Sequence, residues 1–197
     1  MSTKASARKL PREARRDQLL DTAMAIVRED GTDSLTLGRL AERAGVSKPV
    51  AYDHFATRDE LMIALYRRID ERQVAALVEA LRQLPQRLDA VAQAMAAAYV
   101  HCSTSIGPEW HALSAALKGS GQMEAVQREL VEGYVALYRE ALAPFAPAAT
   151  PESLHLRCVA IVGAGEAICV GILRGEVDAD RATEELARLI VRVIGDG

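Results

Sequence analysis

Apolar residues recur along this chain at spacings of three and four and never in a sustained alternation, so the pattern writes helices and no sheet. A first helix is expected from near Arg12 to Asp30, with Leu19, Ala23, Ile26 and Val27 as its buried stripe and Gly31 as its stop. A shorter helix carries Leu37, Leu40, Ala41 and Ala44 on one face and is stopped by Gly45. Ser47 is placed as a side-chain cap for the next, with Lys48 and Pro49 in its first turn, where a missing backbone N–H costs little. In that third helix Ala51 and Phe55, four apart, point inward and leave Lys48, Tyr52, Asp53 and His54 facing out. Two short helices meeting across a turn of about three residues read as a helix-turn-helix.

Downstream, Thr57-Arg58-Asp59-Glu60 forms a capping box that opens a fourth helix, which continues through Leu61, Leu65 and Ile69 towards Leu84. Breakers then divide the chain into helices near 86–104, 108–118, 122–143, 151–174 and 180–194. The segment Gln122 to Ala143 has Met123, Val126, Leu130, Tyr134, Leu137, Tyr138 and Ala141 on one stripe. Thr150-Pro151 opens the next helix, which is apolar on nearly every side. Its small residues Ala160, Gly163, Ala164, Ala167 and Gly171 share one flank, and Cys158, Val162, Glu166, Cys169 and Leu173 share the other. The last helix follows an Asp-Ala-Asp cap and carries Ala182, Leu186, Leu189, Ile190 and Val193 on one stripe. Two such apolar helices need cover, either from their own chain or from a second copy.

Composition agrees with an all-α fold. Half of the 197 residues are hydrophobic, enough for a substantial core, and aromatics make up only 4%. The net charge of −3 is not that of a generic nucleic-acid binder, so any affinity for DNA depends on where the cations lie. They crowd the front: Lys4, Arg8, Lys9, Arg12, Arg15 and Arg16 are opposed there only by Glu13. Residues 1 to about 10 show no periodicity and read either as a solvated tail or as a minor-groove arm. Cys102, Cys158 and Cys169 show no C-x-x-C spacing, as reduced thiols in a cytosolic protein would. No secretory signal or membrane span is expected, since Glu166 and three glycines interrupt the longest hydrophobic run.

The run from about Arg12 to Leu65 resembles the tetracycline-repressor (TetR) family of bacterial transcriptional regulators. The matching residues are Thr36-Leu37, Leu40-Ala41, Ala44-Gly45-Val46-Ser47, Tyr52, Phe55 and Arg58…Leu61. Asp53 departs from the pattern by placing a negative charge where an aromatic or basic residue is common. The resemblance implies a DNA-binding domain over 1–60 and an effector-binding and dimerisation domain over 61–197. It also implies a homodimer on a near-palindromic DNA operator, repression relieved by a small-molecule effector, and a cytoplasmic location without a cofactor.

On the reading head, Lys48 can donate to guanine acceptors, Pro49 and Val50 can touch a thymine methyl, and His54 can reach a base. By the family's pattern Thr36, Tyr52 and Arg58 bind phosphates, positioning the protein without reading sequence. The implied effector cavity draws its candidates from polar or aromatic residues on apolar stretches: Met95, Tyr99, Cys102, Trp110, Met123, Tyr134, Tyr138, His155 and Glu166. Glu166 stands apart, because a carboxylate within so apolar a helix needs either an internal ion-pair partner or an effector to anchor. The implied dimer bundle would use Ala160, Gly163, Ala167, Gly171, Leu186, Leu189, Ile190 and Val193.

Enzymatic readings find little support. His101 and Cys102 are neighbours on a helix and do not face each other, and the chain has no metal spacing such as H-x-x-x-H and no phosphate-cradling glycine loop. Two other regulators stay open: a cysteine-based redox sensor and a DNA-coating protein that ignores small molecules. Cys158 and Cys169 share a face about 16 Å apart, too far for a disulfide within one helix.

Overall fold

A computed structural model describes residues 10–105, 113, 115 and 121–195. The arm over residues 1–9, most of the expected 108–118 helix with Trp110, and the side chains of Cys102 and Met123 lie outside the described residues. Among those described there are eight α-helices: α1 Arg12–Asp30, α2 Leu37–Ala44, α3 Lys48–His54, α4 Arg58–Gln83, α5 Leu88–Ser105, α6 Gly121–Leu142, α7 Pro151–Leu173 and α8 Ala179–Gly195. The chain divides into two compact units, the first ending at Tyr66 and the second beginning at Arg67, so α4 runs through both. Leu61, Met62 and Leu65 are buried with the first unit.

The N-terminal unit is built on α1, which buries Leu19, Leu20, Ala23, Ile26 and Val27. Gly31 then adopts φ 78°, the left-handed side that a side chain resists, and turns the chain into a short 3₁₀ segment, Thr32–Ser34. The Thr36 hydroxyl caps α2 by accepting from Arg39 N at 3.1 Å. Gly45, at φ 66°, ends α2 in the left-handed conformation that makes the turn possible. α2 is tied back to the end of α1 by ion pairs, Arg39 to Asp30 at 2.6 Å and Arg43 to Glu29.

Ser47 holds the N-cap position of α3 but makes no side-chain cap hydrogen bond, so entry into this helix rests on Pro49 and on inward packing. The inward residues are Ala51 and Phe55, the latter 1% exposed. Burying that phenyl ring contributes about 2–3 kcal/mol. At the start of α4, Glu60 N donates to the Thr57 hydroxyl at 3.1 Å, while the Glu60 carboxylate accepts from Ala56 N at 2.8 Å. The reciprocal cap is therefore present, shifted one residue upstream of its usual backbone donor.

In the C-terminal unit one core joins Leu77 of α4, Val91, Ala92, Met95 and Ala96 of α5, Val135, Tyr138 and Leu142 of α6, and the inner faces of α7 and α8. α8 lies chiefly along α5 and also against α7, which in turn packs on α6. Thr150 caps α7 by accepting from Ser153 N at 3.2 Å, with Pro151 in the first turn. Asp178 caps α8 by accepting from Arg181 N at 3.0 Å. By length and composition alone α7, with mean hydropathy 1.9, is apolar enough to cross a membrane. Part of that apolarity goes into the unit's own core: Leu154, Cys158, Ile161, Val162, Gly165, Cys169 and Gly171 are buried.

The two flanks expected on α7 hold for Ala160, Gly163 and Ala167 outside and Cys158, Val162 and Cys169 inside, while Glu166, Leu173 and Gly171 cross over. Glu166 lies about 80° round the helix from Cys158, past the edge of the buried stripe, and it is exposed, as is His155. The bare face carries Leu156 (61% exposed) and Val159 (44%), with Ala160, Gly163 and Ala167 beside them. Gly171 instead turns inward, where an added Cβ would meet Val177 Cγ2 at 3.0 Å. Leu186 and Ile190 are also core residues of their own chain, whereas Leu189 and Val193 stay half-exposed.

Candidate nucleic-acid interface

The outward face of α3 follows from how its inward face is seated. With Ala51 and Phe55 buried, Lys48, Pro49 and Asp53 are exposed, Tyr52 is 53% exposed, and Val50 and His54 are half-buried. Among the described residues no carboxylate pairs with Lys48, so its ammonium is available to an outside acceptor. Thr36 lies at the start of α2, and its hydroxyl oxygen is already used as a cap acceptor, which leaves its O–H to donate outward.

The C-terminal end of α3 is clasped by the first turns of α1. Arg16 donates to His54 O at 3.2 Å and Arg12 to Asp53 O at 3.4 Å, satisfying carbonyls that end the helix. Arg16 also lies over the Phe55 ring, 4.6 Å from its centroid. Removal from water and the neighbouring Arg12 and Arg16 charges lower the pKa of His54 below its ordinary 6.5. The imidazole is therefore neutral at pH 7 and offers one donor and one acceptor. Arg12 and Arg16 are the residues that helical patterning missed here. Their spacing of four on α1, within the basic cluster at the front of the chain, is the signal that places them together.

Arg58 is engaged within its own unit. Its Nε donates to Leu35 O at 2.9 Å and a terminal nitrogen to Thr32 O at 2.8 Å, pinning the segment before α2 to the start of α4. The physical reason is local: the Thr32 carbonyl already accepts the 3₁₀ hydrogen bond from Leu35 N at 3.0 Å and has a second lone pair to offer, and the guanidinium reaches it and the Leu35 carbonyl together.

The residues expected to line an effector cavity separate into groups. Tyr99, Tyr134 and Tyr138 come together as an edge-to-face series, with ring centroids 6.4 and 6.3 Å apart, and Met95 is fully buried in the same core. Tyr99 lies against the backbone of α7, where an added Cβ at Gly165 would meet its ring at 2.9 Å. His155 and Glu166 are on the exposed face of α7 and line no part of this core, so Glu166 is not the buried carboxylate that the sequence suggested. That role falls to Asp70 of α4, 8% exposed, whose carboxyl is pushed up to about 6 by burial, with Glu71 raising it further and Arg67 opposing. Its signal in the sequence is weak, since Asp70 sits in a charged run, Arg67 to Arg72, that reads as a solvated face.

Cys158 is fully buried and its thiol is pushed up to about 11 by desolvation, while the buried Cys169 donates weakly to Tyr99 O at 3.9 Å. Neither has the accessible thiolate that a redox sensor needs. Among the described residues no group of three or more His, Cys, Asp or Glu is placed to hold a metal ion.

Comparison with known proteins agrees with this arrangement. The family model described as bacterial regulatory proteins, tetR family, matches residues 19–65, which spans most of α1 through the first turns of α4. Over 89 residues, 44% of the chain, there is 39% identity to the HTH-type transcriptional activator FasR of Mycolicibacterium smegmatis. Over 127 residues, 64% of the chain, there is 30% identity to the HTH-type transcriptional regulator BetI of Rhizobium meliloti. The matched stretches span 41% and 52% of those relatives' own lengths, about half. The fold is similar throughout to the crystal structure of a TetR-like transcriptional regulator from Rhodococcus sp. RHA1. That match has a TM-score of 0.66 at 26% identity and covers 93% of this chain and 97% of that one.

Proposed function

We propose that the chain, whose residues 19–65 match the model for the tetR family of bacterial regulatory proteins, is a member of that family and a ligand-responsive, DNA-binding regulator of transcription acting in the cytoplasm. It acts as a homodimer that represses from a near-palindromic operator and is released by a small-molecule effector, on which it performs no turnover. The observation that carries this reading is α3, seated on Ala51 and Phe55 and clasped by Arg12 and Arg16, so that Lys48, Pro49, Tyr52 and His54 are presented together. Lys48, with Pro49 and Val50, is suited to base edges, while Tyr52 and the Thr36 hydroxyl suit phosphates. Asp53 discriminates against misplaced phosphates by charge.

The homodimer is supported by the bare face of α7. Leu156 and Val159 flank Ala160, Gly163 and Ala167, and small residues there let a second backbone approach closely. Leu189 and Val193 of α8 are half-exposed and extend the candidate surface. Effector binding shifts the affinity for DNA, and linkage requires that DNA shift effector affinity by the same factor. The 39% identity to a protein named as an activator favours a second sense of regulation, in which the bound protein promotes transcription.

Selection of bound duplexes from a randomised pool, using the full chain, tests the reading. The expected product is a two-fold related pair of half-sites bound far more tightly than the starting pool. Uniform affinity for unrelated duplexes would replace the regulator with a DNA-coating protein.

A further inference from the structure

Among the described residues Asp70 is the one polar or charged residue that is buried. It shares the inner stripe of α4 with Tyr66, Ile69 and Leu77. An ionised carboxylate offers about four lone-pair sites, and no described donor reaches this one. The cation one turn before it is spoken for: Arg67 places both terminal nitrogens on Glu129 of α6, at 3.0 and 2.7 Å. That bidentate geometry holds the fork on α6 and away from Asp70. Glu71, the next residue, adds a like charge.

A charge left in this state destabilises the fold, and the three ordinary remedies are absent. There is no internal hydrogen bond, no full ion pair, and no set of companion ligands for a metal ion among the described residues. What completes such a group is a guest that brings a positive charge or strong donors together with apolar surface to match Ile69 and Leu77. An anionic guest would meet the Asp70 carboxylate instead.

We propose that Asp70 anchors an organic cation in the C-terminal unit and that this cation is the effector. The second half of the proposal rests on the regulator reading above. Asp70 lies in the stretch of α4 that belongs to the second unit.

The sign of the charge is testable with a matched pair of probes, tetraphenylphosphonium and tetraphenylborate, which share size and shape and differ in charge. Calorimetry and thermal melts on the full chain should show the phosphonium binding and raising Tm, with the borate at least tenfold weaker. Asp70→Asn should weaken the phosphonium at least tenfold, Asp70→Glu should keep it within a few-fold, and Glu71→Gln should have a minor effect. Borate binding equal to or stronger than phosphonium binding overturns the proposal. So does full phosphonium affinity in a folded Asp70→Asn, or the failure of phosphonium, tetramethylammonium and an acridinium dye all to bind at millimolar concentration. Should Asp70→Asn not fold, the phosphonium-to-borate ratio on the unaltered protein and the Asp70→Glu value decide alone. The selected duplex separates the two readings. Tight duplex binding without cation binding removes the Asp70 site and leaves the regulator, whereas Asp70-dependent cation binding that leaves duplex affinity unchanged removes the effector role.

Discussion

A guanidinium whose Nε and terminal nitrogen already hold the Leu35 and Thr32 carbonyls is fixed by its own unit. Arg58→Ala should therefore act on stability, costing about 1–3 kcal/mol in a urea melt, and a salt slope of DNA binding left unchanged would remove Arg58 from the phosphate contacts. Lys48→Ala should instead keep the melt and weaken binding to the selected duplex by about 1–3 kcal/mol, with discrimination lost at the contacted base pair. Asp70 makes a second prediction at this scale. Its carboxyl titrates at about 6 in the fold against an ordinary 3.8, so the folded state favours the protonated form. The associated stability is complete below pH 4 and is lost as pH rises through 6, by up to about 3 kcal/mol. Asp70→Asn removes that loss, so its urea midpoint should exceed the unaltered protein's at pH 7.5 and converge with it towards pH 4.5; a difference independent of pH would contradict the assignment. The two residues also mark the limits of pattern reading. Lys48, Tyr52 and Phe55 declare their faces by spacing alone, whereas the partners of Arg58 depend on a 3₁₀ turn that no periodicity announces.

At the scale of elements the helix starts and stops were legible, because caps and glycines are local chemistry: α1 has the expected bounds, and α7 and α8 agree within a residue. Which residues at the margins of the two α7 flanks turn inward was not legible. A helix apolar all round has no polar face to give its orientation, and the answer came from what packs on it, α6 and α8 outside and the Tyr99 ring at Gly165. Gly165→Ala should force that ring aside, lower stability by about 1–3 kcal/mol and alter the near-ultraviolet circular dichroism of the tyrosines. Gly163→Ala is the control: an added Cβ there meets nothing within 4 Å in its own chain. The single chain should tolerate it, and any effect should appear in self-association alone.

For the whole molecule, the bare face of α7 ties self-association to function. Leu156→Arg should reduce the mass in light scattering from two chains to one and weaken binding to the selected two-fold site far more than to an isolated half-site. A mass unchanged by Leu156→Arg would place the pairing surface elsewhere. The helix-turn-helix could be read from the chain because it is a dense local motif. The second unit could not be read in the same detail, since its helices are related by packing rather than by spacing.

The position of Ile190 and Ile194 in the core of the C-terminal unit carries a consequence for biosynthesis. The first unit has all its buried residues by Tyr66, whereas the second lacks part of its centre until the last turn of α8 leaves the ribosome. At about 5–20 residues per second, the intervening roughly 130 residues take on the order of ten seconds to translate. During that interval a nascent chain holds a finished first unit and an unfinished second one. A premature stop codon ahead of Ile190 would freeze it there, leaving a second unit without its centre and exposed to proteolysis.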